Sequence, residues 1–222
     1  MSDLSQITAV ILAGGLGTRL RKIVSDRPKV MAEINGKPFL YYLLDQLAEA
    51  GIERVVISTG YMSQIIEETI GSLYRNLHIE YSREEKPLGT AGALKLSKQI
   101  VDSEYCLVMN GDSYTEFDVF SLFMFFKEKK ASIVLLVKMV PDASRFGTIH
   151  INEQNEIIRF TEKGGTIDNG FINAGIYMME SSAFNKIPDR EPCSLEYDFF
   201  PVMIGKGIYG SEANGKFIDI GT

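Results

Sequence analysis

Two cysteines, two histidines and no surplus of positive charge make this 222-residue chain notable first for what it lacks. Cys106 and Cys193 are too few and too far apart for a disulfide framework or a zinc site, so both are expected as reduced thiols in a cytoplasmic protein. His78 and His150 stand apart from any Ser/His/Asp or Cys/His set, which leaves no ready nucleophile–base pair and marks both as structural or surface residues. Lysine and arginine number 23 against 29 acidic residues, a net charge of −6, and no basic run is present. Binding to nucleic acid through phosphate contacts is therefore not expected, and cations that meet a phosphate ligand must cluster locally. Apolar runs such as Ile133 to Val137 are far too short to span a bilayer, and Met1 to Gln6 has no basic region of the kind that opens a signal peptide.

What is present is a chain 45% hydrophobic, long enough to bury one substantial core, so a single domain over residues 1–222 is expected. No internal repeat, low-complexity tract or linker interrupts it. The run Ala9 to Leu12 passes directly into Ala13-Gly14-Gly15-Leu16-Gly17-Thr18-Arg19-Leu20. It reads as a strand feeding a phosphate loop, where missing Cβ atoms let backbone N–H groups close on an anion and Arg19 adds a doubly donating cation. A mononucleotide P-loop would need Lys-Ser/Thr after the last glycine, and a dinucleotide fingerprint a small residue at position 20; neither is found. A plain strand-to-helix turn remains an equal reading of this stretch alone.

Apolar residues at 40, 43, 44 and 47 predict a helix ended by Gly51, followed by a strand at Arg54 to Ser58, a helix at Met62 to Ile70 and a strand at Leu77 to Tyr81. This alternation implies an α/β fold, Rossmann-like, with a mostly parallel sheet flanked by helices. A polar loop at residues 82–92 leads into a helix from Ala91 to Ile100, whose start, with Thr90, offers donors to a ligand. Tyr105 to Met109 is a strand that ends at Asn110-Gly111-Asp112, where open sheets place ligands. A helix over Glu116 to Lys130, dense in phenylalanine, reads as core packing, with a subunit contact and hence a homo-oligomer left open. Ser132 to Met139 is a central strand, residues 145–180 read as hairpins of one mixed-sheet half, Phe199 to Ile204 as a short helix and Lys216 to Gly221 as a last strand.

Gly14-Gly15-Leu16-Gly17-Thr18-Arg19-Leu20 followed by Pro28-Lys29-Val30-Met31 resembles the paired signature of the sugar-1-phosphate nucleotidyltransferases, G-G-x-G-T/S-R-L and then P-K-P-M/L. Val30 replaces the family's second proline, a change in loop stiffness rather than in charge. Glu162-Lys163, Asn173-Ala174-Gly175 and Asp219-Ile220-Gly221-Thr222 fall in the order of the family's E-K, N-A-G and D-x-G-T motifs, although each alone reads as an ordinary turn, bulge or strand end. Glu85 to Gly92 resembles the base-recognition loop, in the L-G-T-A-G form of the guanylyltransferase branch. Overall similarity and brevity lie nearest the heptose 1-phosphate guanylyltransferases, with the mannose 1-phosphate enzymes second and members using UTP, dTTP or CTP behind them.

The resemblance implies a reaction between a nucleoside triphosphate, GTP for choice, and a sugar 1-phosphate. It implies nucleotide contacts from Leu12, Ala13, Gly14, Gly15, Gly17, Thr18, Glu85, Gly89 and Thr90. Arg19 would meet the triphosphate, Lys29 the α-phosphate and Lys163 the sugar phosphate. Gly147, Glu162, Asn173 and Ala174 would line the sugar side, in the half that begins near residue 145, while Asp112 and Asp219 would hold Mg²⁺. A glycosyltransferase would instead show an Asp-x-Asp pair, of which Asn110-Gly111-Asp112 supplies one carboxylate, and a non-catalytic nucleotide- or sugar-binding relative would have no reason to keep Arg19, Lys29, Asp112, Lys163 and Asp219 together.

Overall fold

The computed structural model describes residues 4–15, 27–162 and 169–220. Of the expected site residues, Gly17, Thr18, Arg19 and Lys163 lie outside the described residues. Four strands form a parallel core: β1 (Ile7–Leu12) pairs with β4 (Arg54–Thr59) on one edge and β7 (Tyr105–Asn110) on the other, and β4 continues to β6 (Leu77–Arg83). Alternate residues of β1 serve opposite faces. Ile7, Ala9 and Ile11 pack with the helices α1 (Phe39–Glu49), α2 (Ser63–Ile70) and α4 (Val119–Glu128), whereas Val10 packs with α3 (Gly89–Ser97) and Phe184, Phe199 and Phe200. A strand covered on both faces has no polar side to show, hence the unbroken apolar run. Small antiparallel ribbons join β2 (Glu33–Ile34) to β3 (Lys37–Pro38) and β5 (Leu73–Tyr74) to β6.

The second half adds antiparallel strands to the same ten-stranded sheet. β12 (Gly170–Glu180) is its hub, pairing with β7 through Ile176–Glu180, with β9 (Ile133–Val140) on its other edge, and with β10 (Thr148–Ile151) near its start. β10 also pairs with β11 (Ile157–Thr161). The expected bulge at Asn173-Ala174-Gly175 is found as a break in the β12–β9 register between Asn173 and Tyr177. Besides the short strands β2, β3 and β5, two more were not anticipated: β13 (Ile208–Glu212), parallel to β9, and β8 (Ser113–Thr115), which pairs with β14 (Phe217–Asp219).

Several boundaries move for local reasons. The phenylalanine-rich helix begins at Val119 rather than Glu116, because the Asp118 carboxylate caps it by accepting from the Phe120 and Ser121 amides. Its Val119, Leu122, Phe123 and Phe126 are buried, while Phe120 and Met124 are exposed. The helix expected at Phe199 is two pieces, a π-helical turn at Leu195–Phe199 and a 3₁₀ turn at Pro201–Met203. α3 starts at Gly89, two residues before Ala91, and ends at Ser97. No helix is long and apolar enough to cross a membrane among the described residues, and both cysteines are buried free thiols.

Candidate active site

A cavity of about 980 Å³ opens at the C-terminal ends of β1 and β7, the edge where parallel sheets bind ligands. Leu12, Ala13, Gly14 and Gly15 leave β1 along its floor, and Asn110, Asp112 and Ser113 leave β7 beside them. The two exits are tied together, since the Gly111 amide donates to the Leu12 carbonyl at 2.9 Å. Lys29 enters from the 3₁₀ turn Lys29–Met31, whose Val30 and Met31 are buried anchors. Its Nζ donates to Asp112 Oδ2 at 2.6 Å, with the lysine largely shielded and the aspartate about half exposed. Asp219 reaches the same lip through β14, where it stands opposite Ser113, and the Ile220 amide donates to the Asp112 carbonyl at 3.0 Å. An aspartate that follows β7 and another that ends β14 thus share one rim of the cavity with Lys29.

Glu84, not its neighbour Glu85, faces the cavity; Glu85 is exposed and does not line it. The Glu84 amide donates to the Thr59 carbonyl, its Oε2 accepts from the Leu88 amide at 2.8 Å, and its Oε1 lies so near Gly14 that a Cβ there would come within 2.1 Å. Burial pushes the Glu84 carboxyl above the ordinary glutamate range, against the opposing pull of the Leu88 N–H. Beyond it, Gly89 and Thr90 line the wall as expected, and two of the amides at the start of α3 are already engaged within the protein. The Ala91 and Gly92 amides both donate to the Cys193 carbonyl, at 2.9 and 3.3 Å, and Thr90 Oγ1 accepts from the Leu195 amide at 2.9 Å. Gly89 sits at φ +75°, and a Cβ on it would stand 2.4 Å from that same carbonyl oxygen.

The opposite wall comes from the antiparallel half. Gly147 and Thr148 open β10, Thr161 and Glu162 close β11, and the Phe146 ring meets Phe217 edge-on at 6.2 Å, joining β10 to β14. From β12 come Asn173, Gly175 and Tyr177, while Ala174 is wholly buried, turned from the cavity, with its carbonyl accepting from Thr115 Oγ1. Full burial, then the nearby Glu196, holds the Tyr177 phenol far above its ordinary range. Ser194, Leu195, Glu196 and Tyr197 complete this wall, a segment that carries no motif and escaped the sequence reading. Neither histidine lines the cavity; His150 Nε2 lies 3.0 Å from Thr161 Oγ1 on the adjoining hairpin. Among the described residues no group of three or more His, Cys, Asp or Glu could hold a metal unaided. Asp112 and Asp219 make a pair of hard oxygen donors, a set that suits Mg²⁺ completed by phosphate oxygens and water.

The model of the nucleotidyl transferase family matches residues 8–222. The chain belongs to that family. Its resemblance extends to particular transferases: it is 39% identical over 214 residues to the D-glycero-alpha-D-manno-heptose 1-phosphate guanylyltransferase of Aneurinibacillus thermoaerophilus, covering 96% of this chain and 92% of that protein. Identity to the mannose-1-phosphate guanylyltransferase of Mycobacterium tuberculosis is 35%, covering 98% of this chain and 62% of the other. Among solved structures, HddC from Yersinia pseudotuberculosis complexed with GMP-PN superposes with a TM-score of 0.84 at 32% identity, covering 97% of this chain and 94% of HddC.

Proposed function

We propose that this transferase joins GTP to a heptose 1-phosphate, giving a GDP-heptose and pyrophosphate. The observation that carries the guanine assignment is the Glu84 carboxylate, held against Gly14 at the nucleotide end of the cavity. Guanine presents two adjacent donors, N1–H and the 2-amino group, which a carboxylate accepts as a pair; uracil and thymine present one donor flanked by acceptors. The heptose assignment is supported by the 39% identity over nearly the whole of a heptose 1-phosphate guanylyltransferase.

An oxygen of the sugar phosphate attacks the α-phosphorus of GTP, the P–O bond to the β-phosphate breaks, and the electron pair leaves with pyrophosphate. With a second pKa near ~6 the attacking phosphate is already anionic at neutral pH, so no general base is required, in keeping with a cavity that no histidine lines. The difficulty is repulsion between two anions, and the residues proposed for it are cationic. Lys29 shifts from Asp112 towards the α-phosphate, while Arg19 and Lys163 serve the triphosphate and the sugar phosphate. The amides of Gly14, Gly15 and Gly17, with Leu12, Ala13 and Thr18, cradle the nucleotide beside Gly89 and Thr90. Asp112 and Asp219 would hold Mg²⁺, which when bound would supply positive charge that offsets the repulsion between the reacting phosphates. Gly147 and Glu162 serve the sugar. In this reading residues 1–222 act as one catalytic unit, its first half handling nucleotide and its second half, from about residue 145, the sugar.

The test is a matrix of four nucleoside triphosphates against heptose, mannose and glucose 1-phosphates, with Mg²⁺ and pyrophosphatase, reading released phosphate. Turnover with GTP and the heptose 1-phosphate is expected to dominate. Preference for UTP or dTTP would overturn the guanine assignment, and preference for mannose 1-phosphate the heptose assignment.

A further inference from the structure

Asn173 has no N–H donor left for a sugar. Its amide orientation is fixed by the Gly175 backbone N–H, a pure donor, which reaches Asn173 Oδ1 at 2.9 Å. Nδ2 must then be the other end, and it donates to the Tyr177 hydroxyl at 2.8 Å and to Glu196 Oε1 at 2.7 Å. A primary amide has two N–H donors, and both are engaged.

Glu196 is differently placed. It is exposed, it lines the cavity, and the turn that carries it is firmly seated: Leu195, Phe199 and Phe200 are buried on either side, the Leu195 amide donates to Thr90 Oγ1, and the Ser194 amide donates to Asp198 Oδ2 at 2.7 Å. Asn173 holds one carboxylate oxygen, and among the described residues no hydrogen bond reaches the other. A fixed, exposed carboxylate oxygen on a cavity wall accepts from O–H groups and repels phosphate, so it suits the hydroxyl end of a sugar phosphate.

We propose that Glu196 is a substrate-binding residue that reads a hydroxyl of the sugar, and that Asn173 is a positioning residue acting through it. The proposal rests on the reading of the cavity as a sugar 1-phosphate site. It reassigns the sugar contact expected of Asn173 to a residue outside every motif.

The experiment is steady-state kinetics with GTP and the preferred sugar 1-phosphate, together with its monodeoxy analogues. Glu196→Ala is expected to raise the KM for the sugar phosphate roughly 10- to 100-fold, the range of a hydrogen bond to a charged group, with the KM for GTP and the Tm close to wild type. One monodeoxy analogue should suffer a similar loss on wild type and little further loss on Glu196→Ala. Asn173→Ala should reproduce the defect, and the double variant should be no worse than Glu196→Ala alone. An unchanged sugar KM in Glu196→Ala, or an equal loss on every analogue, would overturn the proposal. Failure of the wild type to turn over any sugar 1-phosphate with GTP would instead remove the underlying functional reading, and this inference with it.

Discussion

Gly89→Ala tests how the two walls of the cavity are held together. At φ +75° an alanine meets the left-handed penalty, about 1–2 kcal/mol. A second cost comes from contact: the new Cβ would lie 2.4 Å from the Cys193 carbonyl oxygen and 2.9 Å from the Cys193 nitrogen, both backbone atoms that cannot swing aside. Relieving the clash pulls Cys193 away from the Ala91 and Gly92 amides, and two backbone hydrogen bonds of about 0.5–1.5 kcal/mol each are weakened or lost. The expected destabilisation is about 2–5 kcal/mol, a fall in Tm of roughly 5–15 °C for a chain of this size. Gly51→Ala is the matched control, because Gly51 has φ +83° with no heavy atom within 4 Å of the built Cβ, so only the conformational penalty applies. Urea and thermal unfolding of both variants, followed by circular dichroism, give the comparison. Equal losses in the two would show that the carbonyl contact contributes nothing and refute the reasoning. Since Gly89, Thr90, Ser194 and Leu195 all line the cavity, Gly89→Ala should also raise the KM for GTP below its melting temperature.

Glu84→Ala should lower kcat/KM for GTP by about 10²-fold or more, and inosine triphosphate, which lacks the 2-amino group, should lose less than GTP does; identical losses would exclude the carboxylate as a base reader. Because burial raises the Glu84 pKa, the accepting carboxylate form is lost earlier on acidification than for an ordinary glutamate, so GTP affinity should fall as pH drops towards the acid range and Glu84→Gln should abolish that fall. Asp112→Asn should reduce Mg²⁺-dependent turnover by about 10²-fold or more, and near-normal rates would remove it from the site. The buried Cys106 thiol, pushed up to about 11 by desolvation, should resist thiol reagents at pH 8 until the protein unfolds; stoichiometric labelling of native protein at that residue would contradict its burial.

The parallel core was legible because a strand covered on both faces leaves a continuous apolar run, and its tips could be placed because loop glycines and Asp112 follow such runs directly. β13 was not legible: Ile208-Tyr209-Gly210-Ser211-Glu212 has neither an apolar run nor a strict alternation, and it is a strand only because β9 lies beside it. β8, three residues long, likewise exists through β14. In the site, adjacent glutamates hid which one turns inward; that depends on where β6 ends and on the Glu84 amide reaching Thr59. The engagement of the Ala91 and Gly92 amides depends on a carbonyl about a hundred residues away, and the hydrogen bonds that take up both Asn173 donors depend on a register break. Local sequence shows which groups can bond; only the folded chain shows which of them are already engaged.

The late position of β12 in the chain and its central position in the sheet have a consequence for biosynthesis. On the ribosome β1, β4, β6 and β7 can assemble as soon as residue 110 is free, but the flank of β7 that β12 will cover stays open until residues 176–180 have been made. For that interval the nascent chain presents an apolar strand, Cys106-Leu107-Val108-Met109, with unpaired backbone groups to every neighbouring polypeptide. Slow translation between these points, or heterologous overproduction, should therefore favour intermolecular strand pairing, and chaperone demand should end when β12 docks.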